Sequence, residues 1–141
     1  MHWWAMRGGS SLMSLRGLSL LNWIVDFTVI DIETTGLVTD YDEIIELSAL
    51  RVRNNIVSDS YSVLVKPSYE IDDFIAELTG ITNEMLVHER SIEEVISDFY
   101  NFIGSDILLG HNLGFDIKFI NKNLERFNNE YSGLSAQRIR Q

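Results

Sequence analysis

The chain has 141 residues, enough for one domain and too few for a second core. Its 45% apolar and 23% charged residues suit a globular protein, and the absence of cysteine excludes a disulfide scaffold, a thiolate zinc site and a cysteine nucleophile. A net charge of −10 has the wrong sign for gripping nucleic acid by charge alone, and three scattered histidines (His2, His88, His111) do not make a histidine metal cage.

Charge divides the chain into three parts. All 21 acidic residues lie between Asp26 and Glu130, and four of the 11 bases (Arg7, Arg16, Arg138, Arg140) lie outside that span, so 26–130 carries −14. The expectation is an extension over 1–25, a domain over 26–130 and a tail over 131–141. In the extension, the apolar run from Leu18 to Val25 is interrupted by Asn22 and has no small-residue cleavage site. It is also far too short for a membrane span. It reads as a leader of no targeting value, and with the missing cysteines it places the chain in the cytoplasm, away from membranes.

From Asp26 the pattern is orderly. Phe27 to Ile32 is β-branched and apolar, a buried strand, and Glu33 to Gly36 reads as a turn in which Gly36 can take positive φ. Glu43 to Arg53 and Ile56 to Lys66 read as strands joined at Asn54–Asn55, a two-residue hairpin. In the second strand Val57, Tyr61, Val63 and Val65 alternate with Ser58, Ser60, Ser62 and Lys66, and Pro67 stops it. Short helices are expected over Asp72–Leu78 and Asn83–Val87. Ser91 and Glu94 form a capping box, after which Ile92, Val95, Ile96, Phe99 and Ile103 line one helix face up to Gly104. A brief strand follows at Asp106–Leu109, then a turn, with Asn112 as N-cap of a second amphipathic helix carrying Leu113, Ile117, Ile120 and Leu124. The order is that of a mixed α/β fold with an antiparallel pair inside the sheet.

Two residues apart on a strand, Asp31 and Glu33 share a face and stand roughly 6–7 Å apart along the chain. Carboxylates among Val29, Ile30 and Ile32 are costly to bury unless a cation meets them, and hard oxygen ligands suit magnesium or manganese. The competing reading ends the strand at Ile30 and leaves both acids solvated. A third acid, Asp116, falls in the first turn of the last helix, where stabilising the helix dipole is the bland alternative. His111 reads as a turn residue on its own, and His88 as facing water.

Three stretches carry a resemblance. Val29-Ile-Asp-Ile-Glu-Thr-Thr-Gly-Leu37 resembles the first motif of the DnaQ-like (DEDD) 3′–5′ exonucleases, the proofreading family of bacterial replicative polymerases. Leu78-Thr-Gly-Ile-Thr-Asn-Glu-Met-Leu86 resembles the link after that family's hairpin, and Leu109-Gly-His-Asn-Leu-Gly-Phe-Asp-Ile-Lys-Phe119 its second motif. The likeness runs over about residues 26–128, in order, and implies a ribonuclease H-like α/β fold with a mixed sheet. It also implies Asp31, Glu33 and Asp116 as catalytic, metal-holding carboxylates for Mg²⁺ or Mn²⁺. The complete family site holds two such ions, one generating the nucleophile from water and the other stabilising the departing 3′ oxygen. Thr34, Thr35 and Leu37 match positions that hold the terminal nucleotide, with His111, Asn112 and Phe115 lining the opposite wall. The partners implied are a single-stranded 3′ end, DNA foremost, and a polymerase.

The family's third motif, a histidine followed by four residues and an aspartate, supplies the base and the fourth ligand. After Glu130 the chain reads Tyr131-Ser-Gly-Leu-Ser-Ala-Gln-Arg-Ile-Arg-Gln141, with neither acid nor histidine. The expectation is a fold truncated at its C-terminus, lacking its last strand and helix, impaired in catalysis and prone to dimerise through uncovered apolar surface. The alternatives are a catalytically inactive, nuclease-like interaction module and an unrelated acidic domain whose motifs match by chance.

Overall fold

The computed structural model describes residues 24–127, 134 and 139–140, and the expected extension over 1–25 lies almost wholly outside them. Along the chain run β1 (Phe27–Thr34), β2 (Ile44–Arg53), β3 (Ile56–Leu64), α1 (Asp73–Thr79), α2 (Asn83–Leu86), α3 (Ile92–Ile103), β4 (Leu108–Leu109), α4 (Leu113–Phe127) and β5 (Ile139–Arg140). The strands form one sheet in the order β3-β2-β1-β4-β5. Strands β1, β2 and β3 pair antiparallel, whereas β4 lies parallel to β1 and β5 parallel to β4.

The antiparallel half follows from the turn at Asn54 and Asn55, which take φ of 50° and 62°. Asparagine tolerates this left-handed pair, and its twist matches that of the flanking strands. Strand β3 is the sheet's outer edge. Tyr61 and Val63 turn to the core, but Val57 is exposed, so the half-buried alternation read from sequence holds only for the later part of the strand.

Two apolar layers enclose the sheet. On one face Ile30 and Ile32 of β1 and Leu47 and Ala49 of β2 meet α3 and α4. Val95, Ile96, Phe99 and Ile103 are all buried there, the stripe expected from their spacing. On the other face Ile45 packs with Ile71, Ile75, Ile81 and Leu86 beneath α1 and α2. The Asp72 carboxylate caps α1 by accepting the Ile75 N–H at 2.9 Å, and Gly80 closes that helix at φ 73°. Ahead of α3, Ser91 N–H donates to Glu94 at 2.8 Å, closing the expected capping box and holding the Glu94 carboxyl below its usual range.

Three expectations need correction. Strand β1 runs on through Thr34 rather than turning at Glu33. Gly36 does not take positive φ. A Cβ there would lie 2.4 Å from the Asp42 carboxylate that caps the loop, so any other residue would have to displace that cap. The tail, expected to add no strand, supplies β5. An open edge of β4 presents unpaired backbone groups, and two residues suffice to pair with them.

Candidate active site at the end of the central strand

In β1 the residues alternate, so Ile30 and Ile32 are buried in the core while Asp31 and Glu33 turn to the opposite face, half-buried. Because the strand continues past Glu33, both acids are held on regular backbone, and the reading that left them in a solvated loop is overturned. Pairing with β2 slips between Glu33 and Thr34, where β2 carries Ile45 as the extra residue of a bulge just past the carboxylates.

Asp116 arrives from the other edge of β1. The Thr28 N–H bonds the Ile107 carbonyl at 2.9 Å, so by alternation the N–H groups of Ile30 and Ile32 face the same edge. Strand β4 pairs only with Thr28 and Val29 and leaves the Ile32 N–H uncovered. The chain then turns at Gly110, so close to β1 that a Cβ would lie 2.9 Å from the Ile30 carbonyl oxygen. Asn112, at φ 51°, turns it into α4 through a left-handed residue instead of the extended backbone of an ordinary N-cap. One turn into α4, the Asp116 carboxyl lies close enough to the Ile32 N–H for that group to favour its charged form.

That carboxyl is 3% exposed, and its Oδ2 is buried with no hydrogen-bond partner. Burial first, then the charges of Asp31 and Glu33, push its pKa up to about 8, against the smaller opposing effect of the Ile32 N–H. A dipole-stabilising acid sits at the helix surface and is held ionised, whereas this one is buried and coupled to two others. A buried, orphaned oxygen beside two carboxylates is a donor set that fits a hard divalent cation. The three are one electrostatic unit without being a closed ligand shell: among the described residues no group of three acidic or histidine side chains stands at metal-holding separation.

Beyond the acids, Thr34 Oγ1 donates to the Gly36 carbonyl at 2.6 Å. Thr35 is the hub of the turn. Its N–H donates to the Glu43 carbonyl at 2.9 Å, its Oγ1 accepts the Glu43 N–H at 3.0 Å, and the same Oγ1 lies 2.7 Å from the Tyr69 hydroxyl. Leu37 projects from the loop, 82% exposed. His111 and Asn112 are exposed in the turn before α4, and the half-buried Phe115 ring stands 4.9 Å from that of Phe119. Two residues escaped the reading of the sequence. Tyr69 reaches Thr35 only through the fold. Glu46 is 5% exposed directly across from Glu33, and an acid inside the apolar run Ile44-Ile45-Glu46-Leu47 was the signal that could have found it.

With the site assembled, its class can be given. The Exonuclease family (RNase_T) matches residues 28–140, and the chain belongs to it. It is 46% identical over 101 residues to "DNA polymerase III subunit epsilon" of Aquifex aeolicus, covering 72% of this chain and 50% of that protein. It is 47% identical over 94 residues to "DNA polymerase III PolC-type" of Thermotoga petrophila, covering 67% and 7%. To "3'-5' exonuclease DinG" of Staphylococcus epidermidis it is 42% identical over 108 residues, covering 77% and 12%. The chain thus spans half the length of one of these relatives and a small fraction of the others. The structure resembles that of E. coli Exonuclease I in complex with a dT13 oligonucleotide, at a TM-score of 0.63 and 20% identity over 72% of this chain and 24% of that one. That likeness shows the ribonuclease H-like fold, and the family match bears out the DnaQ-like resemblance.

Proposed function

We propose that this chain carries the metal-binding half of a 3′–5′ exonuclease site, with Asp31, Glu33 and Asp116 holding Mg²⁺ or Mn²⁺. The observation that carries the proposal is the buried, unpartnered Oδ2 of Asp116, coupled to Asp31 and Glu33. Such an oxygen is costly without a cation and useful with one. When bound, the two ions of this class of site would supply nucleophile activation and charge stabilisation at the departing oxygen. The protein's own residues do the rest. Thr34 and Thr35 hold a rigid turn against which a terminal nucleotide can lie, Leu37 offers an apolar edge to its base, and Phe115 with His111 and Asn112 forms the facing wall.

The substrate we infer is a single-stranded DNA 3′ end. Relatives named as polymerase III subunits and the fold shared with an exonuclease bound to dT13 support this reading. A polymerase is the partner proposed on the same ground. Cytoplasmic residence belongs to the same proposal, and no helix among the described residues is long and apolar enough to cross a membrane. Self-association of the chain, read as more than monomer by sedimentation at micromolar concentration, is also proposed.

A second reading is favoured by one feature. No His-x-x-x-x-Asp follows Asp116 within the 141 residues, so a test on these residues alone runs without that pair of family side chains. On this reading the isolated chain is impaired, or serves as a nuclease-like interaction module. A 3′-labelled oligonucleotide incubated with the chain and Mn²⁺ separates the two. Slow release of nucleoside monophosphate that is lost in Asp116→Ala supports the nuclease reading, and no release at any enzyme concentration supports the module.

A further inference from the structure

We propose that Tyr69 is a positioning residue for the substrate, its hydroxyl stapling the turn that presents Leu37 to the terminal nucleotide. The inference rests on the exonuclease reading and extends it to a residue outside the three stretches that carry the family resemblance.

The turn starts at Thr35, directly after β1, and leads into β2 at Ile44. Its tip is apolar and open to water, with Leu37, Val38 and Tyr41 all exposed. Burial of these side chains therefore does not hold it, and its shape depends on hydrogen bonds.

Tyr69 supplies the bond between its two ends. The phenol hydroxyl lies 2.7 Å from Thr35 Oγ1 and donates to the Tyr41 carbonyl at 3.2 Å. A hydroxyl can donate and accept at once, so one phenol bridges Thr35 and Tyr41 across the segment that carries Leu37.

Clamps on either side of Tyr69 aim it there. The Glu43 carboxylate accepts the Ser68 N–H at 2.6 Å and the Ser68 hydroxyl as well. Beyond the ring, Asn83 Oδ1 accepts the Ile71 N–H and Asn83 Nδ2 donates to the Ile71 carbonyl, both at 2.9 Å. Glu43 also holds Thr35 through its backbone, so the turn and the segment bearing Tyr69 are fixed to the same residue. A side chain locked in this way sets the position of the loop it bonds.

Other contacts converge on the same loop. The Asp42 carboxylate accepts the Val38 N–H at 2.7 Å, and Lys122 of α4 donates to the Thr39 carbonyl. Polar groups from three parts of the chain thus hold apolar side chains out in water. The free protein gains no burial from that arrangement. The gain comes on binding, when a base covers Leu37 and less of the loop remains to be ordered. The metal carboxylates are set separately, by β1 and α4, so losing the phenol hydroxyl weakens substrate binding and leaves the ion site in place.

The test uses the whole 141-residue chain with Mn²⁺ and a short 5′-fluorescein oligothymidylate, its last linkage a phosphorothioate to slow cleavage. Oligonucleotide affinity is read by anisotropy and Mn²⁺ affinity by titration calorimetry. Tyr69→Phe should bind the oligonucleotide about 5–10-fold more weakly, the effect of one hydrogen bond of ordinary net strength, with Mn²⁺ affinity unchanged. In a Leu37→Ala background the same substitution should cost much less, because the side chain it positions is gone. Unchanged oligonucleotide affinity in Tyr69→Phe overturns the proposal. So does an equal loss in both backgrounds, a fall in Mn²⁺ affinity or failure to fold, since each shows that Tyr69 serves something other than Leu37. Asp116→Ala is the control for the parent reading. If the wild type binds no better with Mn²⁺ than without, or Asp116→Ala binds equally well, that reading fails and Tyr69 falls with it. If Asp116→Ala loses binding and Tyr69→Phe keeps it, only the Tyr69 proposal is refuted.

Discussion

The Asp116 carboxyl, one turn into α4, lies against the backbone N–H of Ile32, the residue that separates Asp31 from Glu33 in β1. This approach ties the second motif to the first. It is possible because β4 is two residues long and leaves the end of β1 open on that edge. It leaves the Asp116 Oδ2 buried and free to take a cation.

Divalent metal should stabilise the fold by mass action at this site. Manganese or magnesium is expected to raise the melting temperature of the chain, and Asp31→Ala combined with Glu33→Ala to abolish that rise. Scanning calorimetry with and without the ion checks this. An undiminished rise in the double variant removes the two residues from the site.

Stability in metal-free buffer should depend on pH through Asp116. Its carboxyl is pushed from the ordinary 3.8 up to about 8 in the folded chain, so the folded state holds the proton more tightly than the unfolded one. The contribution is complete below about pH 4 and is lost as pH rises towards 8, with a slope reaching about 1.4 kcal/mol per pH unit. Asp116→Asn should flatten the slope over that window. Urea titrations at several pH values would expose a slope that survives the substitution and so belongs to another group.

Gly110→Ala should loosen the site without touching a carboxylate. The added Cβ would meet the Ile30 carbonyl oxygen and Leu113 Cδ1, each at 2.9 Å, and push the start of α4 away from β1. A cost of about 1–3 kcal/mol is expected from such overpacking. The metal-induced rise in melting temperature should shrink as well, because Asp116 moves with the helix. A stability loss that leaves the metal response intact would show that the placement of Asp116 beside β1 tolerates the shift.

Catalysis by the isolated chain should be slow. Release of nucleoside monophosphates from a single-stranded 3′ end is expected to be faster with manganese than with magnesium, because magnesium demands nearer to ideal octahedral geometry. Appending a downstream segment with the histidine and aspartate of a similar domain should raise the rate by roughly 10²–10⁴ from the base alone. Asp116→Ala in that longer chain should erase the gain. Full magnesium-dependent activity of the 141-residue chain that survives Asp31→Ala would place the site elsewhere.

Local patterns in the chain determined most of its elements. Apolar spacing from Ile92 to Ile103 marked α3, the asparagine pair marked the hairpin, and alternation around Asp31 and Glu33 put both acids on one face. Each depends on residues near in sequence, where backbone geometry and side-chain period suffice. Only the tertiary structure decided that β1 runs through Glu33, that Gly36 lies against the Asp42 carboxylate, and that residues 139–140 add a strand. It also decided that Asp116 is buried against Ile32 and that Glu46 faces Glu33. These depend on pairing register and on how closely α4 approaches β1, which are set by packing between segments up to 80 or so residues apart.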